Sequence, residues 1–487
     1  MKYQESVLRK LSLAGAIVLI LWVCWYNLGG LTIRLWDESR MAINALEMYE
    51  SRHYWVTTFE HQPDLWNTKP PLMIWLQVLS LHIFGVHDWA LRIPAALAAT
   101  VTFTAIFHFC YRRLKNFWLG IFSVVILATS VGYIREHITR TGDFDPLLIL
   151  WLVLASLNFF IFLEHNRTRS LYATFIFFGL AVCTKGIAGV MFAPGVLLYT
   201  IYRRQLKRVL INPHTYMGLL LFLAIALPYY FIREHYNPGY LMAVRANELG
   251  GRFLKAIEGH NHPWYWYLNL VATELYVEWW PVFVLGLVFL WIERRSDALM
   301  NKGISYVAIL AISYFTIVSA AQTKLVWYVS PVFPFAAIVV AYAICFIGRK
   351  VYVERAKIWW IAQPVLPVLI LFVVGNNIYN ELYLADRHNN LSDINYYIRD
   401  KFMAEKDKRN MFVLVPGYQP HVWWYTRVAA KQGQKIVHDS SVKIKVGDRV
   451  LVSKGEYMDT VTSRYEVDTL YRTNFIGVFD IKCKKQL

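Results

Sequence analysis

Apolar stretches of membrane-spanning length recur along this chain, and they restrict its fold more than any other feature of the sequence. The hydrocarbon core of a bilayer requires about 20 mostly apolar residues per helix, and the first stretch, 11–30, is that long. Only 17% of the 487 residues are charged, whereas soluble domains carry about 25%. The sequence therefore predicts a polytopic α-helical protein embedded in the lipid bilayer.

Eleven stretches are predicted to span the membrane. They are 11–30, 89–110, 117–133, 146–163, 171–183, 187–202, 211–232, 276–292, 303–320, 327–347 and 358–375. The first is too long for the apolar part of a signal peptide and has no small-residue cleavage site, so we expect it to remain as a span. The segments 171–183 and 187–202 are short and could instead form one broken helical hairpin.

A twelfth apolar segment, 70–86, is assigned by the distribution of positive charge. With the N-terminus in the cytoplasm and 70–86 not crossing, the cytoplasmic segments hold 19 Lys and Arg residues, against about 12 in the longer loops opposite. If 70–86 crossed, every later loop would change sides and this asymmetry would be lost. We therefore predict that 70–86 lies in the membrane interface and that the C-terminus is outside. This topology accounts for the net charge of +17, and no nucleic-acid partner is predicted.

The composition changes after about residue 376, where charged residues become frequent and apolar runs shorten. Short β-branched runs predict strands there, and two longer stretches predict helices. The predicted strands are 411–416, 441–446, 449–454 and 475–482, and the predicted helices are 391–402 and 420–430. The chain is thus expected to comprise a transmembrane domain, 1–375, and a small soluble α/β domain, 376–487, on the non-cytoplasmic side.

With this topology, unusual ionisable residues fall in the loops of one face. Such groups are costly at a membrane boundary unless they are paired or functional. The candidates in chain order are Asp37, Glu38, Arg40, Lys69, Asp143, Asp145, Lys185, Arg252, His260, His262, Lys324 and the neutral Tyr328. Their convergence on the non-cytoplasmic face predicts an active site in the outer loops.

These residue types suit a reaction that releases a phosphate. Asp37 can act as a general base toward a hydroxyl or amine acceptor. Arg40, Lys69 and Lys324 can neutralise a phosphate, with arginine able to bind it through two parallel hydrogen bonds, and Tyr328 can donate one more. The leaving group we expect is therefore a lipid phosphate at the interface. Glu38, Lys185, Arg252, His260 and His262 are further candidates for binding substrate.

No cofactor is predicted firmly, but a divalent metal ion is one option. The pairs Asp143 with Asp145 and His260 with His262 each offer two ligands at alternating positions, which is a weak signal.

Each candidate also has a purely structural explanation. Asp37 and Glu38 open a helix, where acidic residues are favoured in the first turn. Arg40 could pair with a carboxylate or reach lipid headgroups, and Lys185 could do the latter. It is their common location, rather than any single residue, that indicates a site.

Several motifs together resemble the GT-C glycosyltransferases. The first set is DE-x-R from Asp37, KPPL from Lys69 and LRIPAAL from Leu91. RTGDFDPLL, TKGIAG, NELGGRF, HNHPWYWYL and TKLVWYVSPVFP follow along the chain. The resemblance covers roughly 300–350 residues and is greatest to the group containing the bacterial lipid A aminoarabinose transferase and the protein O-mannosyltransferases.

This resemblance implies an inverting transferase, with 1–375 as its GT-C catalytic domain. It would move one sugar from a polyprenyl-phosphate donor to a lipid or protein acceptor. By position, Asp37 matches the catalytic carboxylate, and Arg40, Lys69 and Tyr328 match residues that hold the donor phosphate. Asp143 and Asp145 match the second acidic motif. The family often has thirteen spans, whereas eleven are predicted here.

The expected location is the bacterial inner membrane, with the active site and the C-terminal domain in the periplasm. Two other functions remain open: a transporter or flippase of lipid-linked glycans, and an oligosaccharyltransferase or ligase using a lipid pyrophosphate donor. A transporter should show two similar halves and broken helices near the membrane centre. The sequence has no such halves, and only one helix pair looks broken.

Overall fold

Long apolar helices form most of the molecule. The computed structural model describes residues 2–249, 259–354, 356–384, 392–405, 410–438 and 444–485. Eight helices in these ranges are long and apolar enough to cross a membrane: Glu5–Trp25, Asp88–Arg113, Asp145–His165, Thr168–Val190, Pro213–Tyr236, Leu299–Ala320, Val326–Lys350 and Ala362–Tyr383. The pair Trp266–Leu275 and Trp280–Ile292 passes the same test together but bends by 114°. The chain is an integral membrane protein with eight such helices in its described part, or nine with the bent pair.

The predicted count of eleven spans exceeds what helix length supports. Two of the predicted spans coincide with the shorter helices Phe117–Ala128 and Ala193–Tyr202, and a third belongs to the bent pair. Every residue of Phe117–Ala128 is buried within the protein. Hydropathy alone does not distinguish such a short, internally packed helix from a membrane span, because both are apolar all round.

The segment 70–86 forms the helix Leu72–Phe84, which begins directly after Pro70-Pro71. Its 13 residues extend about 20 Å at 1.5 Å per residue, short of the roughly 30 Å of a hydrocarbon core. This length agrees with the prediction that 70–86 does not cross the membrane. The helix packs between Asp37–Ser51 and the span that begins at Asp88.

The remaining elements are short. A two-residue hairpin pairs β1, Thr58–Phe59, with β2, Gln62–Pro63. The other helices of at least four residues are Val131–Ile134, Leu206–Leu210, Tyr240–Val244, Arg245–Leu249, Ser392–Asp400, Pro420–Lys431 and Glu456–Arg464.

The described C-terminal residues form a five-stranded sheet in the order β4-β3-β5-β7-β6. The strands are β3 Met411–Leu414, β4 Ile436–His438, β5 Arg449–Ser453, β6 Tyr465–Arg472 and β7 Ile476–Lys484. Strand β3 runs parallel to β4 and β5, while β7 is antiparallel to β5 and β6. The small α/β region predicted at the C-terminus is confirmed.

Three of the four predicted strands and both predicted helices are present in this region. The fourth predicted strand, 441–446, lies partly outside the described residues, and its described part, 444–446, is not a strand. Strands β4 and β6 were not predicted from the sequence. β4 has three residues, and β6 is a mostly exposed edge strand, so neither gives a clear apolar pattern. The domain boundary at 375/376 stays a prediction.

The C-terminal region is anchored on Asp88, at the start of a membrane span. The Asp88 carboxylate accepts hydrogen bonds from Trp424 Nε1 at 2.8 Å, Tyr425 Oη at 2.6 Å and Arg399 Nη1 at 3.3 Å. Leu46 and Trp424 belong to one buried apolar cluster that joins the first-loop helix to the C-terminal region. The C-terminal region is therefore packed directly on the segment that carries Asp37.

The Asp88→Asn variant is expected to weaken this anchor, because an amide keeps one acceptor oxygen for three donors. We expect a loss of about 2–4 kcal/mol, seen as a lower melting temperature by tryptophan fluorescence. Asp400→Asn is the matched control, since Asp400 pairs with the same Arg399 but is half exposed; its cost should stay below about 1 kcal/mol. Equal shifts in the two variants would contradict the anchor.

Candidate functional site

A buried ion pair between Glu38 and Arg92 holds the candidate site together. Arg92 donates from Nε to Glu38 Oε1 at 2.7 Å and from Nη2 to Oε2 at 3.0 Å. The side chains are each 1% exposed. Burial alone would raise the pKa of Glu38, but the charge and hydrogen bonds of Arg92 outweigh it, so the pKa is lowered. Glu38 is therefore a carboxylate.

The same pair joins three separate segments of the chain. Glu38 also accepts hydrogen bonds from the backbone N–H groups of Arg34 and Gly142. Arg92 donates to the backbone carbonyls of Leu28, Leu31 and Thr32. The end of the first span, the first-loop helix and the 140–145 loop are thereby fixed to the helix that carries Arg92. This network favours a positioning role for Glu38 over the substrate-binding role expected from the sequence.

Asp37 is the first residue of the helix Asp37–Ser51, where a carboxylate is favoured by the helix dipole. The residue before it, Trp36, has φ 77°, ψ −118°. A positive φ is rare for a bulky side chain and is sustained only where the surroundings impose it, often at functional sites. Asp37 lines a cavity of about 690 Å³, together with His137, His260, His262 and Lys324 among others.

Lys324 braces the loop that carries the two histidines. Its Nζ donates to the His262 carbonyl at 2.9 Å, and its backbone N–H donates to the His260 carbonyl at 3.0 Å. Burial lowers the pKa of Lys324. His262 stacks on Trp266 with ring centroids 4.2 Å apart. Lys324 therefore shapes one wall of the cavity.

His137 lies at the acidic end of this cavity. Its ring stacks on Trp327 with centroids 3.8 Å apart and an interplanar angle of 11°. Nδ1 is 3.3 Å from Asp143 Oδ1. Burial disfavours the imidazolium, but the carboxylates of Asp143, Asp37 and Asp145 outweigh this effect and the pKa of His137 is raised. One potential ligand atom from each of Asp37, His137 and Asp143 lies within 4.8 Å of the others.

A second cavity of about 120 Å³ is lined by Tyr328, the residue after Trp327 of the first cavity, and the two rings are 6.3 Å apart. Lys185 Nζ lies 2.6 Å from both carboxylate oxygens of Asp145 and 5.2 Å from the centre of the Tyr328 ring. Lys69 also lines this cavity, whose remaining walls are mostly apolar. The ionisable lining thus comprises two ammonium groups, two phenols and two carboxylates, because Tyr314 and Glu248 also line this cavity.

Arg40 is engaged elsewhere. Its guanidinium binds Asp64 through both carboxylate oxygens, at 2.8 and 2.7 Å, and donates to Tyr418 Oη at 2.9 Å. It also lies over the rings of Phe59 and Trp66, at 4.2 and 4.6 Å. Because its donors already have partners, a role for Arg40 in holding a phosphate stays a prediction that requires some of these bonds to exchange.

The predicted site residues thus fall into distinct places. Asp37, His260, His262 and Lys324 line the first cavity, and Lys69, Asp145, Lys185 and Tyr328 line the second. Asp143 is grouped with Asp37 and His137, not with Asp145, which is held by Lys185, nor with the His260 and His262 pair. Arg252 lies outside the described residues.

Sequence reasoning missed four residues of this region. His137 was not predicted, although it stands six residues before Asp143 in the same polar loop. Asp64, the partner of Arg40, lies in a loop outside the sequence motifs described above. Tyr418 contacts Arg40, and His421 lines the first cavity. The last two are more than 370 residues from Asp37 in the sequence, so no local pattern could have indicated them.

These features define a class: a polytopic helical membrane protein with an ionisable site built from loops and an α/β region packed beside it. Comparisons with known proteins define this class more closely. A family model described as dolichyl-phosphate-mannose-protein mannosyltransferase matches residues 68–232. A putative mannosyltransferase, YycA of Bacillus subtilis, is 25% identical over 225 residues, 44% of this chain and 32% of that protein.

Further matches extend over more of the chain. An undecaprenyl phosphate-alpha-4-amino-4-deoxy-L-arabinose arabinosyl transferase of Edwardsiella ictaluri is 26% identical over 315 residues, 63% of this chain and 55% of that protein. The crystal structure of ArnT from Cupriavidus metallidurans bound to undecaprenyl phosphate superposes with a TM-score of 0.70 at 15% identity, covering 96% of this chain and 97% of that one.

The chain has the GT-C fold of the ArnT structure, and parts of its sequence are similar to aminoarabinose transferases and mannosyltransferases. This confirms the resemblance found in the sequence motifs. The chain matches between about a third and two thirds of the length of the curated relatives, from 32% to 64% for the first three.

The Glu38→Gln variant tests the ion pair, because it leaves the buried Arg92 without a full counter-charge. We expect a loss of about 3–5 kcal/mol, measured by thermal unfolding in detergent. The Glu38→Gln/Arg92→Gln double variant should lose less than the sum of its single variants. Glu5→Gln is the control, since Glu5 pairs with Arg9 at an exposed position and should cost less than about 1 kcal/mol. Additive single losses would contradict the coupling.

Proposed function

We propose that this protein is an inverting glycosyltransferase. It takes a single sugar from a polyprenyl-phosphate donor and passes it to a lipid or protein acceptor. The reaction takes place on the periplasmic face of the bacterial inner membrane. The superfamily relatives support the reaction class, and the positive charge of the opposite loops supports the orientation.

The observation that carries the proposal is the pairing of two adjacent cavities of different character. The narrow one has Lys69, Lys185 and Tyr328 together with the carboxylates of Asp145 and Glu248, and its other walls are mostly apolar; its cationic and phenolic donors suit the phosphate of a lipid. The wider one has Asp37 on its wall and room for a sugar and an acceptor group. We place the sugar of the donor in the wider cavity and its phosphate in the narrow one, since Trp327 and Tyr328, which line one cavity each, have ring centroids 6.3 Å apart.

The basic side chains stabilise the leaving group. As the bond between the anomeric carbon and the phosphate oxygen breaks, the electron pair stays on that oxygen and negative charge grows on the phosphate. Cationic donors held in place before the reaction are the strongest means of stabilising such charge. Lys185, paired with Asp145, and Lys69 both line the cavity in which this charge would develop.

Asp37 activates the acceptor. A hydroxyl or amine of the acceptor forms the new bond to the anomeric carbon from the face opposite the leaving phosphate, which inverts that carbon. The acceptor proton passes to the Asp37 carboxylate. General-base catalysis of this kind contributes about 10²–10⁴-fold. The strained backbone at Trp36 supports this role, because it fixes the direction in which the helix and Asp37 begin.

The Asp37→Asn variant is expected to lower the transfer rate at least about 10²-fold, because the amide cannot accept the proton. Release of undecaprenyl phosphate from synthetic sugar donors, followed by liquid chromatography and mass spectrometry, measures the rate. Glu60→Gln is the control, since Glu60 is an exposed carboxylate of the same outer loop, and it should keep the wild-type rate. Normal turnover by Asp37→Asn would exclude Asp37 as the base.

The Lys69→Met variant is expected to weaken binding of undecaprenyl phosphate about 10- to 100-fold, because it removes one charge-assisted hydrogen bond worth about 1.5–3 kcal/mol. Native mass spectrometry of the purified protein measures the affinity. Lys207→Met removes an exposed lysine far along the chain and should leave the affinity unchanged. Equal affinities for Lys69→Met and wild type would exclude Lys69 from the phosphate site.

A further inference from the structure

We infer that Trp36 determines which acceptor the protein uses, by packing its indole against a sugar ring of that acceptor. The indole forms one wall of an acceptor subsite in the wide cavity of about 690 Å³, which also contains Asp37. The inference rests on the proposed function, because it assigns a residue to the acceptor of the proposed transfer.

The backbone conformation of Trp36 is one that suits glycine. Its φ of 77° and ψ of −118° are close to the mirror image of the extended conformation, which glycine adopts readily and other residues do not. The conformation is imposed locally, since the Trp36 carbonyl accepts hydrogen bonds from Ser39 Oγ and from the Arg40 N–H, both at 3.0 Å. The chain therefore has its bulkiest side chain where only glycine would be free of strain.

Burial does not explain this choice of residue. Trp36 is 59% exposed, so its indole removes little apolar surface from water. The ring contacts Tyr418 of the C-terminal region, with ring centroids 5.5 Å apart, whereas a membrane anchor would face the lipid headgroups. A strained residue that is exposed at the wall of a cavity is better explained by binding than by folding.

The lining of the wide cavity suits a sugar ring. Asn395 and Thr32 supply neutral hydrogen-bonding groups for sugar hydroxyls. The electron-rich face of an indole attracts the weakly positive C–H groups on the face of a sugar. Four of the lining residues carry an indole: Trp36, Trp66, Trp266 and Trp327.

Trp36 is placed to contact the acceptor rather than the donor. It directly precedes Asp37, the residue that takes the acceptor proton in the proposed reaction. Trp327 is the indole beside the narrow cavity, because its ring centroid is 6.3 Å from that of Tyr328. The residues that line the narrow cavity lie between positions 69 and 328, whereas Trp36 contacts the C-terminal region. We therefore assign Trp327 to the donor side and Trp36 to the acceptor side.

The Trp36→Gly variant tests the inference, because it removes the indole while glycine keeps the backbone conformation without strain. Release of undecaprenyl phosphate from the synthetic donors is followed as the envelope glycolipid fraction of cells lacking the gene is added. This fraction supplies unmodified acceptor. We expect Trp36→Gly to raise the half-saturating amount of the fraction at least about tenfold. The maximal rate, the KM for the donor and the melting temperature should stay near those of wild type.

Two further variants serve as references. Trp36→Phe keeps a smaller aromatic ring, so its half-saturating amount should lie between those of wild type and Trp36→Gly. Trp55→Ala is the matched control, since Trp55 is an exposed indole of the same outer loop and lies outside the described lining of both cavities. It should behave as wild type does.

Equal half-saturating amounts for wild type and Trp36→Gly would overturn the inference. A lower maximal rate with an unchanged half-saturating amount would also overturn it, and would show that Trp36 only directs Asp37. If Trp36→Gly fails to fold, Trp36→Phe decides alone, and its half-saturating amount should exceed that of wild type. Faster release with the envelope protein fraction but not with the glycolipid fraction would overturn the sugar ring and indicate a peptide acceptor. Wild type that releases no undecaprenyl phosphate with either fraction would refute the proposed function itself.

Discussion

The buried pair of Glu38 and Arg92 is the interaction on which the rest of the site depends. Arg92 lies on a membrane-spanning helix and donates hydrogen bonds to three backbone carbonyls just after the first span. Glu38 accepts hydrogen bonds from backbone N–H groups of two loops. Such a pair contributes little net stability compared with apolar side chains of the same size. Its value lies in geometry, because any other arrangement of these loops would leave a buried charge without its partner. Asp37 and Asp143 are each adjacent in sequence to a residue that this network fixes.

Four acidic residues near the site differ in the side chains that surround their carboxylates. Glu38 is neutralised by Arg92, Asp64 by Arg40 and Asp145 by Lys185, each at a distance below 3 Å. Hydrogen bonds from Arg40 lower the pKa of Asp64 against the effect of burial. Asp143, in contrast, lies beside His137 and Asp37, and its carboxylate oxygens accept no hydrogen bond among the described residues. The three paired carboxylates thus stabilise the scaffold of the site. The C-terminal region contributes to the same arrangement, because the Tyr418 hydroxyl accepts a hydrogen bond from Arg40.

Much of this could be predicted from the sequence, and the failures have physical causes. Apolar runs predicted the helices, and the sequence motifs predicted the fold and eight of the residues that line the two cavities. Eleven spans were predicted, whereas eight or nine helices of the described residues have spanning length, and the shorter Phe117–Ala128 is buried within the protein along its whole length. The partners of Glu38 and Arg40 could not be predicted, because only the tertiary fold brings Arg92 and Asp64 next to them. His137 was missed for the same reason: its stacking on Trp327 joins loops that are 190 residues apart.

Mass spectrometry of lipids and envelope proteins from cells with and without the gene tests the central claim most directly. A polyprenyl-phosphate-dependent glycosyltransferase should, when absent, leave one lipid or protein class lighter by the mass of a single sugar, with its polyprenyl-phosphate donor accumulating. Accumulation of a larger glycan on a lipid pyrophosphate would instead indicate a ligase or a flippase. That result, or an unchanged set of sugar masses, would contradict the account.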